Sequence, residues 1–238
     1  GYTTSSTIID SPLVFKIKSE QEFWEPRNYD LEFKGPVTLR NALSHSRNII
    51  TIKILQDIGI DYVMHYARRL GITSPLDRNF SLALGSSGVS LLELTRAYAV
   101  FANRGVMVEP LFITHLRDRD GTLLEENIPK VTQVISPQTA YLVVSLLTSV
   151  VEEGTGKKVR ALQRPCAGKT GTTNEVRDAW FIGFTPDLIA GAWVGFDDEK
   201  PLGKRETGAV AASPIWLTFM KEVLEGTPTK NFSIPEGI

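Results

Sequence analysis

Ala167-Gly168-Lys169-Thr170-Gly171-Thr172-Thr173 reads as a short strand. A charged turn, Asn174 to Arg177, separates it from a second apolar run, Ala179-Trp180-Phe181-Ile182-Gly183-Phe184, and Thr185-Pro186-Asp187 separates that from a third, Leu188 to Phe196. Apolar runs of this length bounded by turn residues are strands. Three in succession with tight connections pair antiparallel. The last third of the chain, about 165–225, is therefore a sheet closed by a terminal helix. That helix begins at Ser213-Pro214, with proline at the first helical position, and runs to about Leu224. The tail from Pro228 to Ile238 reads as a loosely held end.

Upstream the pattern is helical. From Val37 to Leu43 apolar residues recur at helical spacing, Ser46-Arg47-Asn48 interrupts, and Ile50, Ile54 and Ile58 resume at four-residue steps. Asp61 is the expected cap of a third helix ending at Gly71. Ser90 is the expected cap of a fourth, Leu91 to Asn103, stopped by Gly105. Residues 37–104 thus form a helical lobe. A hairpin follows, Leu111 to Arg117 and Thr122 to Glu125 around Asp118-Arg119-Asp120-Gly121. Ser136-Pro137 then opens a long helix ending near Gly154-Thr155-Gly156. Before residue 37 the chain is extended and broken by Pro12 and Pro26, with Phe15-Lys16-Ile17-Lys18 alternating as a strand does. The start, without Met and already in alternating Thr and Ile, reads as the middle of a longer protein.

With 238 residues and 42% hydrophobic side chains the chain has enough material for a full core in one α+β domain, 1–238. Its 26 basic and 27 acidic residues nearly cancel, so no long-range field gathers nucleic acid. One cysteine and three histidines build neither a disulfide nor a structural zinc site. No cofactor or metal is expected. No run approaches the length of a membrane span, so any membrane link lies in an anchor elsewhere.

Two short stretches carry chemistry. Lys169 stands on the first late strand with hydroxyls beside it. Strand alternation puts Lys169, Gly171 and Thr173 on one face and Thr170 and Thr172 on the other, unless the strand edge itself is the binding surface. Gly171, lacking Cβ, lets a substrate backbone lie against the strand. Ser46 and Asn48, two apart on a tight turn, can aim a hydroxyl and an amide into one cleft. Each stretch alone has a plainer reading: a surface strand, and a serine capping the helix that begins near Ile49.

Together they are the Ser-x-Asn and Lys-Thr-Gly pair of the penicillin-binding proteins and serine β-lactamases. Whole phrases extend the resemblance: Ser81-Leu82-Ala83-Leu84-Gly85, Ala97-Tyr98-Ala99-Val100-Phe101-Ala102-Asn103, Gly154-Thr155-Gly156, and Asp178 to Phe184 with Trp193-Val194-Gly195-Phe196. Over nearly its whole length the chain resembles the transpeptidase domain of the class A, bifunctional penicillin-binding proteins. Val223-Leu224-Glu225-Gly226 and Pro235-Glu236-Gly237-Ile238 are similar to the ending of the 1a type. The resemblance implies a serine β-lactamase-like fold, a mostly antiparallel sheet flanked by helices with a helical lobe. It also implies acyl transfer on stem peptides ending in D-Ala-D-Ala, and β-lactams as mimics of that end. In it Ser46 relays protons, Asn48 holds the peptide amide, Lys169 supplies positive charge, and Thr170, Gly171, Thr172 and Thr173 bind substrate. The implied setting is the outer face of the bacterial cytoplasmic membrane, behind an N-terminal anchor and a glycosyltransferase domain.

The family's first motif, a serine followed three residues later by lysine, does not occur in these 238 residues; Ser44, for instance, reaches Arg47. The resemblance implies that it lies upstream and that this stretch alone is inactive. A β-lactamase or D,D-carboxypeptidase is a rival reading, opposed by the long region from Gly105 to Thr155. A scaffold that keeps the fold without the serine is another. Elsewhere, His45 lacks an aspartate to orient it. Asp197-Asp198-Glu199 reads as a solvated turn, Gly85-Ser86-Ser87-Gly88 as a flexible loop, and Cys166 as a small core residue.

Overall fold

The computed structural model describes residues 1–16, 23–198, 200–203 and 205–238, so Ile17, Lys18 and Glu199 lie outside the described residues. Four strands open the chain: β1 (Thr7–Asp10), β2 (Phe15–Lys16), β3 (Phe23–Trp24) and β4 (Gly35–Thr38). Four helices follow: α1 (Leu39–Ser44), α2 (Asn48–Ile58), α3 (Ile60–Arg69) and α4 (Leu91–Ala102). Next come β5 (Val106–Val108), β6 (His115–Arg117), β7 (Leu123–Glu126), β8 (Val131–Gln133) and α5 (Pro137–Glu152). The chain closes with β9 (Ala167–Thr172), β10 (Asp178–Phe184), β11 (Ile189–Gly195) and α6 (Ser213–Val223).

The three late strands form the expected antiparallel sheet, in the order β11-β10-β9. Trp180 lies opposite both Gly171 and Trp193, which fixes the register. Both faces are covered, which is why β10 reads as one continuous apolar run instead of alternating. On one face Phe181 meets Trp216 of α6 edge-on at 5.1 Å, with Met220 and Leu224 around them. The buried indole N–H of Trp216 donates to Gly183 O and Ala190 O, so its polar atom is satisfied inside the core. On the other face Phe184 and Ala167 pack with Val144 and Leu147 of α5 and with Tyr98 and Phe101 of α4.

The capping residues act as read at two helices. Ser90 and Glu93 form a reciprocal capping box on α4, and Ser136 caps α5. Six local expectations are corrected. Val37 belongs to β4, because Gly35–Thr38 pairs with Thr7–Asp10; α1 starts only at Leu39, capped by Thr38. Asp61 lies in the first turn of α3, whose cap is Gly59. Ser46 does not cap α2: the cap residue is Arg47, with no side-chain cap bond. Pro214 follows Ser213 in the first turn of α6, because a π-helical turn, Gly208–Ala212, feeds directly into that helix. The tail is docked, not loose. Phe232 packs edge-on to Phe184 at 5.8 Å, Lys230 pairs with Asp187 at 2.6 Å, and Gln138 donates to Glu236 O. The hairpin is shorter than read, β6 with β7, and β5 pairs separately with β8.

Candidate active site

The turn between α1 and α2 is built by its backbone. Ser46 N–H donates to Leu43 O and Arg47 N–H to Ala42 O, and Ser46 takes the left-handed conformation at φ 54°. A non-glycine residue there is uncommon and needs support from its surroundings. The turn throws Ser46 outward and Arg47 into the protein, where only 6% of it is exposed.

Facing this turn, β9 is one of the two edge strands of its sheet. Lys169, half-buried on it, donates from Nζ to Ser46 Oγ at 2.9 Å and to Thr170 O at 3.0 Å. The two stretches singled out in the sequence therefore meet through their lysine and serine. One ammonium N–H remains for a ligand, and the Ser46 O–H is free to donate because its oxygen accepts from lysine. Burial pushes the Lys169 amine down to about 8. A lysine near neutrality both supplies charge and exchanges a proton.

The remaining predicted residues sit around this pair. Asn48 Nδ2 donates to Arg27 O at 2.9 Å, which fixes the amide and leaves its oxygen as an acceptor. Thr170 Oγ1 lies 2.7 Å from Thr155 Oγ1. Thr172 Oγ1 accepts from Gly208 N–H at 3.1 Å, so its own O–H still has a proton to give. Thr173 closes the turn into β10, its N–H donating to Asp178 O and its hydroxyl accepting from Asp178 N–H. Gly171 lies opposite Trp180, and Gly208 comes up against both: a Cβ on Gly208 would fall 2.4 Å from Gly171 O and 2.3 Å from Trp180 O.

Two supporting residues were not legible in the motifs. Thr155 ties the parts together, since its N–H donates to Ser44 O at 3.0 Å while its hydroxyl meets Thr170. Gly154 makes that approach feasible; a Cβ there would stand 2.1 Å from Ser44 O. The other is Arg47, the silent middle residue of Ser46-Arg47-Asn48.

The minor candidates fall away. His45 is exposed and its Nδ1 contacts Asn41 O. Asp198 pairs with Lys200, and no group of metal-ligating residues exists among the described residues. Ser86 and Ser87 are tied to Ser81 and Asp77. Cys166 is a buried core residue whose thiol desolvation pushes up to about 12. Cavities of about 340 and 430 Å³ lie between α3 and the start of α5 and beside α6, neither lined by Ser46 or Lys169. No helix among the described residues is long and apolar enough to cross a membrane.

An antiparallel sheet covered by helices on both faces, with a lysine edge strand held against a serine turn, defines a transpeptidase fold of the penicillin-binding type. The chain belongs to the penicillin binding protein transpeptidase domain family, which it matches over residues 2–221. It is 42% identical over 235 residues to penicillin-binding protein 1A of Aquifex aeolicus, an alignment covering 99% of this chain and 32% of that protein. The chain thus spans about a third of that relative's length. The crystal structure of penicillin-binding protein 1A from Haemophilus influenzae superposes with a TM-score of 0.93 at 33% identity, over 99% of this chain and 41% of that one. The PonA1 protein of Mycobacterium tuberculosis in complex with penicillin V gives a TM-score of 0.84 over 100% of this chain and 68% of that one. Its identity of 23% shows the fold alone.

Proposed function

We propose that these residues are the C-terminal portion of the D,D-transpeptidase domain of a bifunctional, class A enzyme of the 1a type. It cross-links stem peptides ending in D-Ala-D-Ala and is acylated by β-lactams. It works on the extracytoplasmic face of the bacterial membrane, joined to an N-terminal anchor and a glycosyltransferase domain. The nucleophilic serine and its lysine partner come from outside this sequence.

The serine oxygen attacks the penultimate D-Ala carbonyl. The C–N bond breaks, and the leaving D-Ala amine takes a proton through Ser46 Oγ, whose acidity the Lys169 ammonium raises. An amine of a neighbouring stem peptide then attacks the ester and releases the serine. Asn48 Oδ1 accepts from the donor peptide amide, and the Thr172 N–H contributes to the oxyanion hole. The Thr172 hydroxyl, whose proton is available, and the Thr170 hydroxyl beside it suit a terminal carboxylate near the Lys169 charge. Gly171 and Thr173 complete the edge on which the peptide lies.

The contact of 2.9 Å between Lys169 Nζ and Ser46 Oγ carries this reading. Labelling with a fluorescent penicillin tests it. The full-length protein acquires a covalent adduct that persists, the Ser46→Ala and Lys169→Ala variants acquire it far more slowly, and the 238-residue chain alone acquires none. An adduct on the short chain would refute the external nucleophile, and rapid hydrolysis of the label would identify a β-lactamase instead.

A further inference from the structure

Arg47 lies between the two active-site residues of its turn and points the opposite way. Its guanidinium donates from Nε and Nη2 to Asp10 Oδ2 at 3.0 and 2.8 Å, from Nη1 to Asp30 Oδ2 at 2.6 Å, and from Nη2 to Glu32 O at 2.7 Å. Asp10, 1% exposed, also accepts from Asn28 Nδ2 and Lys34 N–H. Asn28 in turn accepts from Ile49 N–H through Oδ1 at 3.3 Å, and its neighbour Arg27 holds the Asn48 amide. Asp10, Arg27, Asn28, Asp30 and Glu32 thus grip residues 47, 48 and 49 in succession.

A buried pair of this kind contributes little net stability, because desolvation cancels most of its attraction. It does fix direction. With Arg47 held down, the backbone on either side has no freedom to rotate, so Ser46 keeps its left-handed conformation toward Lys169, and Asn48 keeps its amide orientation. We infer that Arg47, clamped by Asp10 and Asp30, is a positioning residue for acyl transfer, orienting Ser46 and Asn48 from beneath. The inference rests on the transpeptidase reading above.

The test uses the full-length protein, with active sites counted by titration with saturating fluorescent penicillin and the second-order acylation rate then taken per titrated site. Arg47→Lys keeps the charge but loses the planar fork. Its rate per site should fall about tenfold or more, since a misplacement of about 1 Å can cost on the order of 100-fold. Asp30→Asn weakens only the exposed end of the clamp, Asp30 being 44% exposed, and leaves the Asp10 bonds intact. It should lose about threefold, the scale of a partly exposed ion pair. A merely structural Arg47 would lower the melting temperature and the number of titratable sites while leaving the rate per site at the parent value, and that result overturns the inference. If Arg47→Lys gives no titratable sites, Asp30→Asn decides: a parent-like rate overturns it. A folded parent protein that is never acylated refutes the transpeptidase reading itself and is told apart by appearing before any substitution is made.

Discussion

Thr155 Oγ1 and Thr170 Oγ1 stand 2.7 Å apart, joining the loop after α5 to the edge strand. Because the Thr155 N–H also reaches Ser44 O, this one residue spans from the helix preceding Ser46 to the strand bearing Lys169. Replacing it by valine keeps the shape and removes only the hydroxyl. A neutral hydrogen bond is worth about 1 kcal/mol net, or roughly fivefold in an equilibrium. Thr155→Val in the full-length protein should therefore weaken β-lactam acylation by about that factor, and Thr155→Ser should restore it. Comparing acylation rates for the two variants checks the claim.

Gly208 supports the same strand from the side. With its missing Cβ destined for 2.3 Å from Trp180 O and 2.4 Å from Gly171 O, alanine cannot enter without pushing the π-helical turn away from β9. That shift breaks the bond from Gly208 N–H to Thr172 Oγ1. Overpacking of this kind costs about 1–3 kcal/mol. Gly208→Ala should lower the unfolding midpoint in urea and slow penicillin acylation together, whereas Val210→Ala, on the exposed part of the same turn, should leave acylation unchanged.

The docked tail makes a separate prediction about stability. Phe232 closes the lower face of the sheet against Phe184 and lies with Val144, Leu147 and Tyr98 in one apolar cluster. Phe232→Ala should cost about 2 kcal/mol, the scale for returning an apolar side chain to water. Amide hydrogen exchange should then speed up along β10 at Phe184 and in the facing turns of α5, with little change near Ser46.

Local signals carried far in this sequence. The sheet was legible because β9, β10 and β11 are short apolar runs with turn residues between them, and α4 and α5 announce themselves by Ser90 and Ser136. The Ser46 and Lys169 motifs were legible as a pair. What failed depended on partners distant in the chain. Val37 looked like a helix onset because the strand partner of its segment lies at Thr7–Asp10. Phe232 looked solvated because its contact is Phe184. Ser46 resembled a cap because serine often is one, yet it sits at a left-handed φ in a turn whose next residue, Arg47, is drawn down to Asp10 and Asp30. Nothing local marks Asp10, in an extended segment, as a buried carboxylate.

Lys169 gives a prediction in which the sign of the pH effect can be worked out. Lysine titrates at 10.5 in its ordinary state, and burial brings this side chain down to about 8. Below about pH 8 the folded and unfolded chains both carry the proton, so the cost of burying an ammonium is felt in full. Between about pH 8 and 10.5 the unfolded chain still binds a proton that the folded chain has released. Stability against unfolding therefore rises with pH through that window on account of this residue, and Lys169→Met should remove that rise. Function runs the other way: the charge that lowers the cost of proton transfer at Ser46 disappears as pH climbs through 8, so acylation of the full-length protein should decline on the alkaline side with a midpoint near 8. Carbon-detected NMR of the Lys169 side chain in the 238-residue chain measures the ionisation directly. A midpoint near 10.5 would show that the amine is hydrated, and the proposed alkaline decline would then have to arise from another group.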